Sequence, residues 1–293
     1  MAAKDFRDAR AAAVRSEIRL QENTLAEITR MLHDAQDEIR LILADAPSDY
    51  QLWSLPRLSA DISRVLEDFS RDAGAQISSA ARSSWNLGGD LVDAPLDAMG
   101  IRLAGTVAID TQQLSAMRQF MTDRIKNIGD AAVNKINSEL GLVVIGSQSP
   151  SDAIGAVTDI LAETSRDRAR TIVGTELGRV FSAAAQARLE DAAGKVNGLK
   201  KQWRRSGKLH PRPHHDLADG QLQTVDEPFV LRPFGKAPVR LMYPRDPTAP
   251  AGETINCGCM AIPWKDDWEV RNRGRAPGGI GEDAVPVSQI LGE

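Results

Sequence analysis

A chain of 293 residues has room for two domains, each with its own core. A hydrophobic share of 42% and a charged share of 26% match a soluble globular protein, and no run approaches the apolar length needed to span a bilayer. The net charge of -4 excludes a global field that would draw the chain onto nucleic acid, so any such contact must be local.

Aromatic residues make up 4% and alanine is abundant, which favours long helices with small-residue contacts. The opening Met1-Ala2-Ala3-Lys4-Asp5 has no apolar core of a secretory signal. Together with two cysteines, this points to a reducing cytosolic origin. Residues 8 to 45 follow a helical period. Val14, Ile18, Leu25, Ile28, Leu32, Ala35, Ile39 and Ile42 alternate steps of three and four, with Gln21 as a polar interruption. Such a seam fits either an internal bundle or a coiled coil with another chain. Pro47 is expected to end it.

A second helix is expected from about Pro56 to Ser84, with Leu58, Ile62, Val65, Leu66, Phe69 and Ile77 on its apolar side. Glycines and Pro95 predict a loop over Asn86 to Gly105, with room for one short helix. Asp110 or Thr111 caps a third helix to about Leu140. Ser149-Pro150-Ser151-Asp152 is a strong start for a fourth, which runs to about Ala193 with a break near Thr164-Ser165 and a stop at Gly194. Two glycines in that helix, Gly174 and Gly178, imply close backbone contact.

At Gly194 the composition changes to frequent proline and glycine. Short strands are expected at Lys200 to Arg205, Thr224 to Val230, Val239 to Tyr243 and Cys259 to Pro263. Arg271 to Gly281 reads as a flexible arm, and Val285 to Leu291 could dock it. The domain plan is therefore 1–150 as a helical docking region, 151–268 as a compact module and 269–293 as an arm.

Chemistry-bearing residues concentrate in the module. Cys257 and Cys259 are the chain's whole cysteine supply, and His210, His214 and His215 are three of its four histidines. Zinc favours thiolate and imidazole, but usual sites leave two or more residues between cysteines. The expectation is thus two thiols packed in or beside a small core, with no metal and no cofactor. A metal-dependent nuclease or hydrolase would draw on His214, His215, Asp216 and Cys257, yet helper residues for such a site are not visible. No helix N-terminus or nucleophile motif frames either cysteine. From Ala192 to His215 there is no acid. Lys200, Lys201, Arg204, Arg205 and Lys208 form a basic strip around Trp203 that could touch phosphates.

The ordered set of motifs resembles the phage Mu protein F-like family of minor head proteins. It begins with a Thr-Glu pair on a helix, Thr175-Glu176, and continues with Lys201-Gln202-Trp203. Pro211-Arg212-Pro213-His214-His215 leads to Asp219-Gly220, followed by Glu227-Pro228-Phe229 and Tyr243-Pro244-Arg245-Asp246-Pro247. It closes on Asn256-Cys257-Gly258-Cys259. Gly258 departs from the arginine usual there. The resemblance covers about residues 165 to 265 and implies a mainly α chain, with long N-terminal helices followed by a small α+β module. It implies a non-enzymatic minor capsid protein of the virion, acting in head morphogenesis and assembled in the bacterial host cytoplasm. Expected partners are the portal protein, the major capsid or scaffolding protein and double-stranded DNA, with self-association through the N-terminal helix and no membrane contact. In that setting Glu176, Trp203, Arg212, His215, Asp219, Gly220, Phe229, Pro244, Asn256, Cys257 and Cys259 hold the module's shape.

Overall fold

The computed structural model describes residues 2–45, 55–103, 111–205, 212–266 and 268. Pro47, Asp110, Lys208, His210, Pro211 and the arm from 269 lie outside the described residues.

The chain is mainly α. Helices α1 (Ala2–Asp45) and α2 (Leu55–Ala98) are each 44 residues long. They are followed by α3 (Thr111–Val144), α4 (Pro150–Asp159) and α5 (Ser165–Ala193). The expected break near Thr164-Ser165 is a π-helical turn, Ile160–Thr164, in which Ser165 Oγ donates to Ile160 O at 3.0 Å. The fourth helix starts as its sequence dictates. Asp152 N donates to Ser149 Oγ at 3.1 Å, and Ser149 Oγ donates back to the Asp152 carboxylate at 2.7 Å. Among the described residues no helix is long and apolar enough to cross a membrane.

Two compact units emerge, and neither coincides with a boundary at residue 150. The bundle unit comprises Leu20–Arg82 and Thr111–Glu176. Its core takes Ile28, Leu32, Ala35, Ile39 and Leu43 from α1 and Ile62, Leu66, Phe69 and Ile77 from α2. Ile125, Ile128, Ile136 and Leu140 of α3 join them. Bonds from Ser59 Oγ to Asn137 Oδ1 (2.8 Å) and from Arg118 Nε to Ser78 Oγ (2.7 Å) set α2 and α3 antiparallel. The α1 seam is therefore an internal one, with its centre shifted. Thr24 and Leu43 are buried, whereas Leu25 and Ile42 lie at the edge. Ile18, which belongs to the other unit, is 48% exposed.

The sheet unit takes its described residues from Met1–Arg19, Ser83–Asp110 and Leu177–Glu293. The loop expected over Asn86 to Gly105 is instead helix up to Ala98. Tertiary packing overrides the local breakers there. Leu91, Val92 and Leu96 are fully buried in one cluster with Phe181, Ala185 and Leu189 of α5. Gly88 permits that crossing, since a Cβ on it would lie 2.3 Å from Phe181 O. Pro95 costs the helix one hydrogen bond without ending it. Arg188, only 1% exposed, is paired with Asp93 at 2.6 Å and Asp191 at 2.7 Å.

Strand β1 (Lys200–Arg204) is the centre of a three-stranded antiparallel sheet, flanked by β2 (Leu222–Thr224) and β5 (Met260–Trp264). In its register, Gln202 pairs with Leu222 on one side and Ile262 on the other. A separate antiparallel pair joins β3 (Phe229–Leu231) to β4 (Val239–Leu241). The single strand expected over Thr224 to Val230 is thus two strands split by a turn ahead of Pro228, because proline cannot donate to a ladder. Two short helices, α6 (Pro213–Leu217) and α7 (Ala251–Thr254), complete the unit.

Candidate functional site

Helix α6 begins at Pro213, whose fixed φ suits the first helical position. Its turn is closed by His215 N and Asp216 N donating to Arg212 O, each at 3.0 Å. The Arg212 guanidinium ties the turn to Ile255 O at 2.7 Å. This places His214 and His215 beside α7. Glu253 Oε2 takes both His214 Nε2 (2.6 Å) and His215 Nε2 (2.8 Å). Burial pushes the Glu253 carboxyl upward, but the bonds from the two imidazoles outweigh it and hold the group below its ordinary value.

The other imidazole nitrogen of His215 faces the cysteine pair. Its Nδ1 is 3.6 Å from Cys257 Sγ and 3.7 Å from Cys259 Sγ. Asn256, just before the pair, stands at φ 55 in the left-handed region, which asparagine tolerates. Cys257, Cys259 and His215 are 4%, 2% and 2% exposed. The bond from Cys259, with help from His215 and Arg245, holds the Cys257 thiol far below the usual thiol range despite its burial. Trp203 of β1 closes the cluster, edge-on to His215 at 5.7 Å and to Phe229 at 5.3 Å.

Arg245 anchors the same cluster from the opposite side. Its Nε donates to Cys257 O at 2.6 Å, and Nη1 donates to Gly178 O (2.9 Å) and Ser182 Oγ (3.1 Å). Gly178 leaves room for it, since a Cβ there would lie 2.6 Å from the guanidinium carbon. The contact inferred from the glycines of α5 is real at Gly178, while Gly174 has open space. Asp246 caps its own turn, accepting from Met242 N at 2.8 Å and Thr248 N at 2.9 Å. Pro244 is buried.

Asp219 accepts from Arg205 N at 3.0 Å and pairs with Arg204 at 3.3 Å, and Gly220 follows at φ 87. Phe229 is fully buried, with the Lys201 ammonium 5.2 Å from its ring centre. In the bundle unit, Glu176 is 4% exposed and lies 3.8 Å from Arg124.

Of the basic strip, Lys201 is turned inward and is not a surface cation. It is fully buried and donates to Met242 O at 2.7 Å and Gln186 Oε1 at 3.2 Å. Burial draws its pKa down to about 8. Lys200 pairs with Asp266 at 2.6 Å and Arg205 with Asp216. Asp216 therefore faces Arg205, and it is His214, His215 and Glu253 that form the second close donor group beside the cysteine cluster. Sequence reasoning missed Glu253, Arg245 and Gln186. Arg245 fills the variable position of the Tyr-Pro-x-Asp-Pro turn and stands at φ 69, in the left-handed region.

The profile of the family described as "Phage Mu protein F like protein" matches residues 134–262, which contain this whole cluster. The chain carries a Mu F-like domain. The chain also resembles part of "Uncharacterized protein YqbB" from Bacillus subtilis (strain 168), with 36% identity over 108 residues. That alignment covers 36% of this chain and 33% of the relative, so the chain spans about a third of the relative's length. No solved structure matches. Within the Mu F-like domain, the signature residues from Trp203 to Cys259 close around one buried cluster.

Proposed function

We propose that this protein is a non-enzymatic phage head morphogenesis factor, a minor head component that docks near the portal vertex. The Mu F-like match over residues 134–262 carries the reading. Burial of the cluster supports it: Cys257 and Cys259, at 4% and 2% exposure, offer no open approach to a substrate. The bundle unit supplies a docking candidate. Its Leu41 and Ile145 are each 72% exposed, and Leu142 is 39% exposed. Ser59 near the start of α2 bonds Asn137 near the end of α3, and Gln36 of α1 bonds Thr158 of α4. These exposed apolar side chains are the ones we take as the docking candidate.

Ile28 and Leu32 of the α1 seam are interior, so changing them tests stability rather than docking. The direct test is capture of purified portal protein by the full chain and by a triple variant, Leu41→Ser, Leu142→Ser and Ile145→Ser. The expected result is capture by the wild type and at least about tenfold weaker capture by the variant, the loss of one strong apolar anchor. Equal capture by both would reject this face. Absence of the protein from purified procapsids by mass spectrometry would reject the head assignment itself. DNA contact through the strip is the subordinate part of the reading, since Lys200, Arg204 and Arg205 already have carboxylate partners.

A further inference from the structure

We infer that His215, Cys257 and Cys259 bind a zinc ion, with Glu253 orienting His215 from behind. Nothing in the head-assembly reading requires this, and it stands on the geometry of one cluster. The donor atoms of the three residues lie within 4.8 Å of one another, and all three residues are buried.

The distances fit a tetrahedral ion. Bonds of about 2.0–2.1 Å to nitrogen and about 2.3 Å to sulfur, meeting at the tetrahedral angle, put nitrogen and sulfur about 3.5–3.6 Å apart. The observed separations are 3.6 and 3.7 Å. The tautomer fits as well. A carboxylate only accepts, so Glu253 draws the proton of His215 to Nε2. That leaves the Nδ1 lone pair pointing at two sulfurs. Three electron-rich atoms thus converge at one buried point. A cation resolves that arrangement. A carboxylate bonded to the distal nitrogen of a histidine is also the usual support behind a metal-bound imidazole.

The donor set selects the ion. Two thiolates and an imidazole suit zinc, and a carboxylate-poor buried site does not suit magnesium or calcium. The three side chains supply three of the four positions of a tetrahedral ion. The short cysteine spacing is no obstacle, because both sulfurs already lie against the same nitrogen. The ion would pin α6 to the start of β5. Near this point the bonds of Arg212 and Glu253 join α6 to α7 and to Ile255 just after it. Binding releases the thiol protons, and the ion's free energy adds to folding.

The test uses the full chain, purified without chelator and with thiols kept reduced. Metal analysis is expected to give about one zinc per chain. Cobalt exchanged into the site is expected to show the intense visible bands of a tetrahedral ion together with thiolate-to-cobalt charge transfer. Chelator should lower the melting temperature, and zinc should restore it. Cys259→Ser should abolish binding. Glu253→Gln, which keeps size and removes charge, should weaken zinc affinity by about 10- to 100-fold while the chain stays folded. A folded wild-type chain that takes up neither zinc nor cobalt overturns the proposal, whatever the variants do. So does a mass showing Cys257 joined to Cys259 as a disulfide, or cobalt spectra without thiolate bands.

Discussion

Arg245 does more for the cluster than its place in the sequence signals. It reaches both the cysteine turn and α5, and its guanidinium donates to Cys257 O, Gly178 O and Ser182 Oγ. Hydrogen bonds to a charged group contribute about 1.5–3 kcal/mol each, and an acceptor left buried adds its own penalty. Arg245→Met should therefore lower unfolding free energy by about 3 kcal/mol or more, read from urea denaturation. A loss under about 1 kcal/mol would mean that water replaces the guanidinium. Lys201 gives a pH prediction of definite sign. Its folded pKa of about 8 lies below the ordinary lysine value of 10.5. Between those values the unfolded chain binds more protons than the folded one, so stability contributed by this group rises with pH. The penalty of burying the ammonium is fully present below pH 8 and is relieved between 8 and 10.5. Unfolding free energies of wild type and Lys201→Met, measured from pH 7 to pH 10, should show the wild type gaining on the variant by at most about 1.4 kcal/mol per pH unit. A constant difference would place the ammonium in contact with water.

At the scale of elements, Gly88 separates local preference from packing. Replacing a glycine inside an exposed helix by alanine gains about 1 kcal/mol. Gly88→Ala should do the opposite, costing about 1–3 kcal/mol, because the added methyl overlaps Phe181 O and Ala184 Cβ. Thermal unfolding of the two proteins decides the sign. The same contrast explains what was legible in the sequence. The Ser149 cap, the α1 seam and strand β1 are written in neighbouring residues, so periodicity and capping find them. The tail of α2 was not legible, because Leu91 and Leu96 make it helical by packing on α5 rather than through any local preference. The signature residues around Trp203 could be picked out, but not the chemistry that joins them. Arg245 meets Gly178 across 67 residues, and His215 meets Glu253 across 38. No local pattern marks either meeting. The spacing of the two cysteines spoke against convergence, yet both sulfurs meet one imidazole nitrogen.

Across the whole molecule, the decisive property is that each unit is assembled from separated stretches of chain. The core of the sheet unit joins Ala13, Leu91, Val92 and Leu96 to Phe181, Ala185, Leu189, Val196 and Ile262. A cut at residue 150 leaves the first four without a partner surface and strips the second group of its cover. Burying a large apolar side chain contributes about 1.5–3 kcal/mol, so losing several such contacts exceeds the net stability of a typical domain. The bundle unit is divided by the same cut, since α4 and the start of α5 lie beyond it. Residues 151–293 made alone should therefore show helical circular dichroism without a cooperative melting transition, and should bind a hydrophobic dye. Residues 1–150 should behave likewise. Mixing the two fragments during refolding should restore one complex with a single transition, since the cut falls between α3 and α4 and breaks no helix beyond the first residue of α4. A cooperative melt from 151–293 alone would show that the Mu F-like domain holds its core without α2.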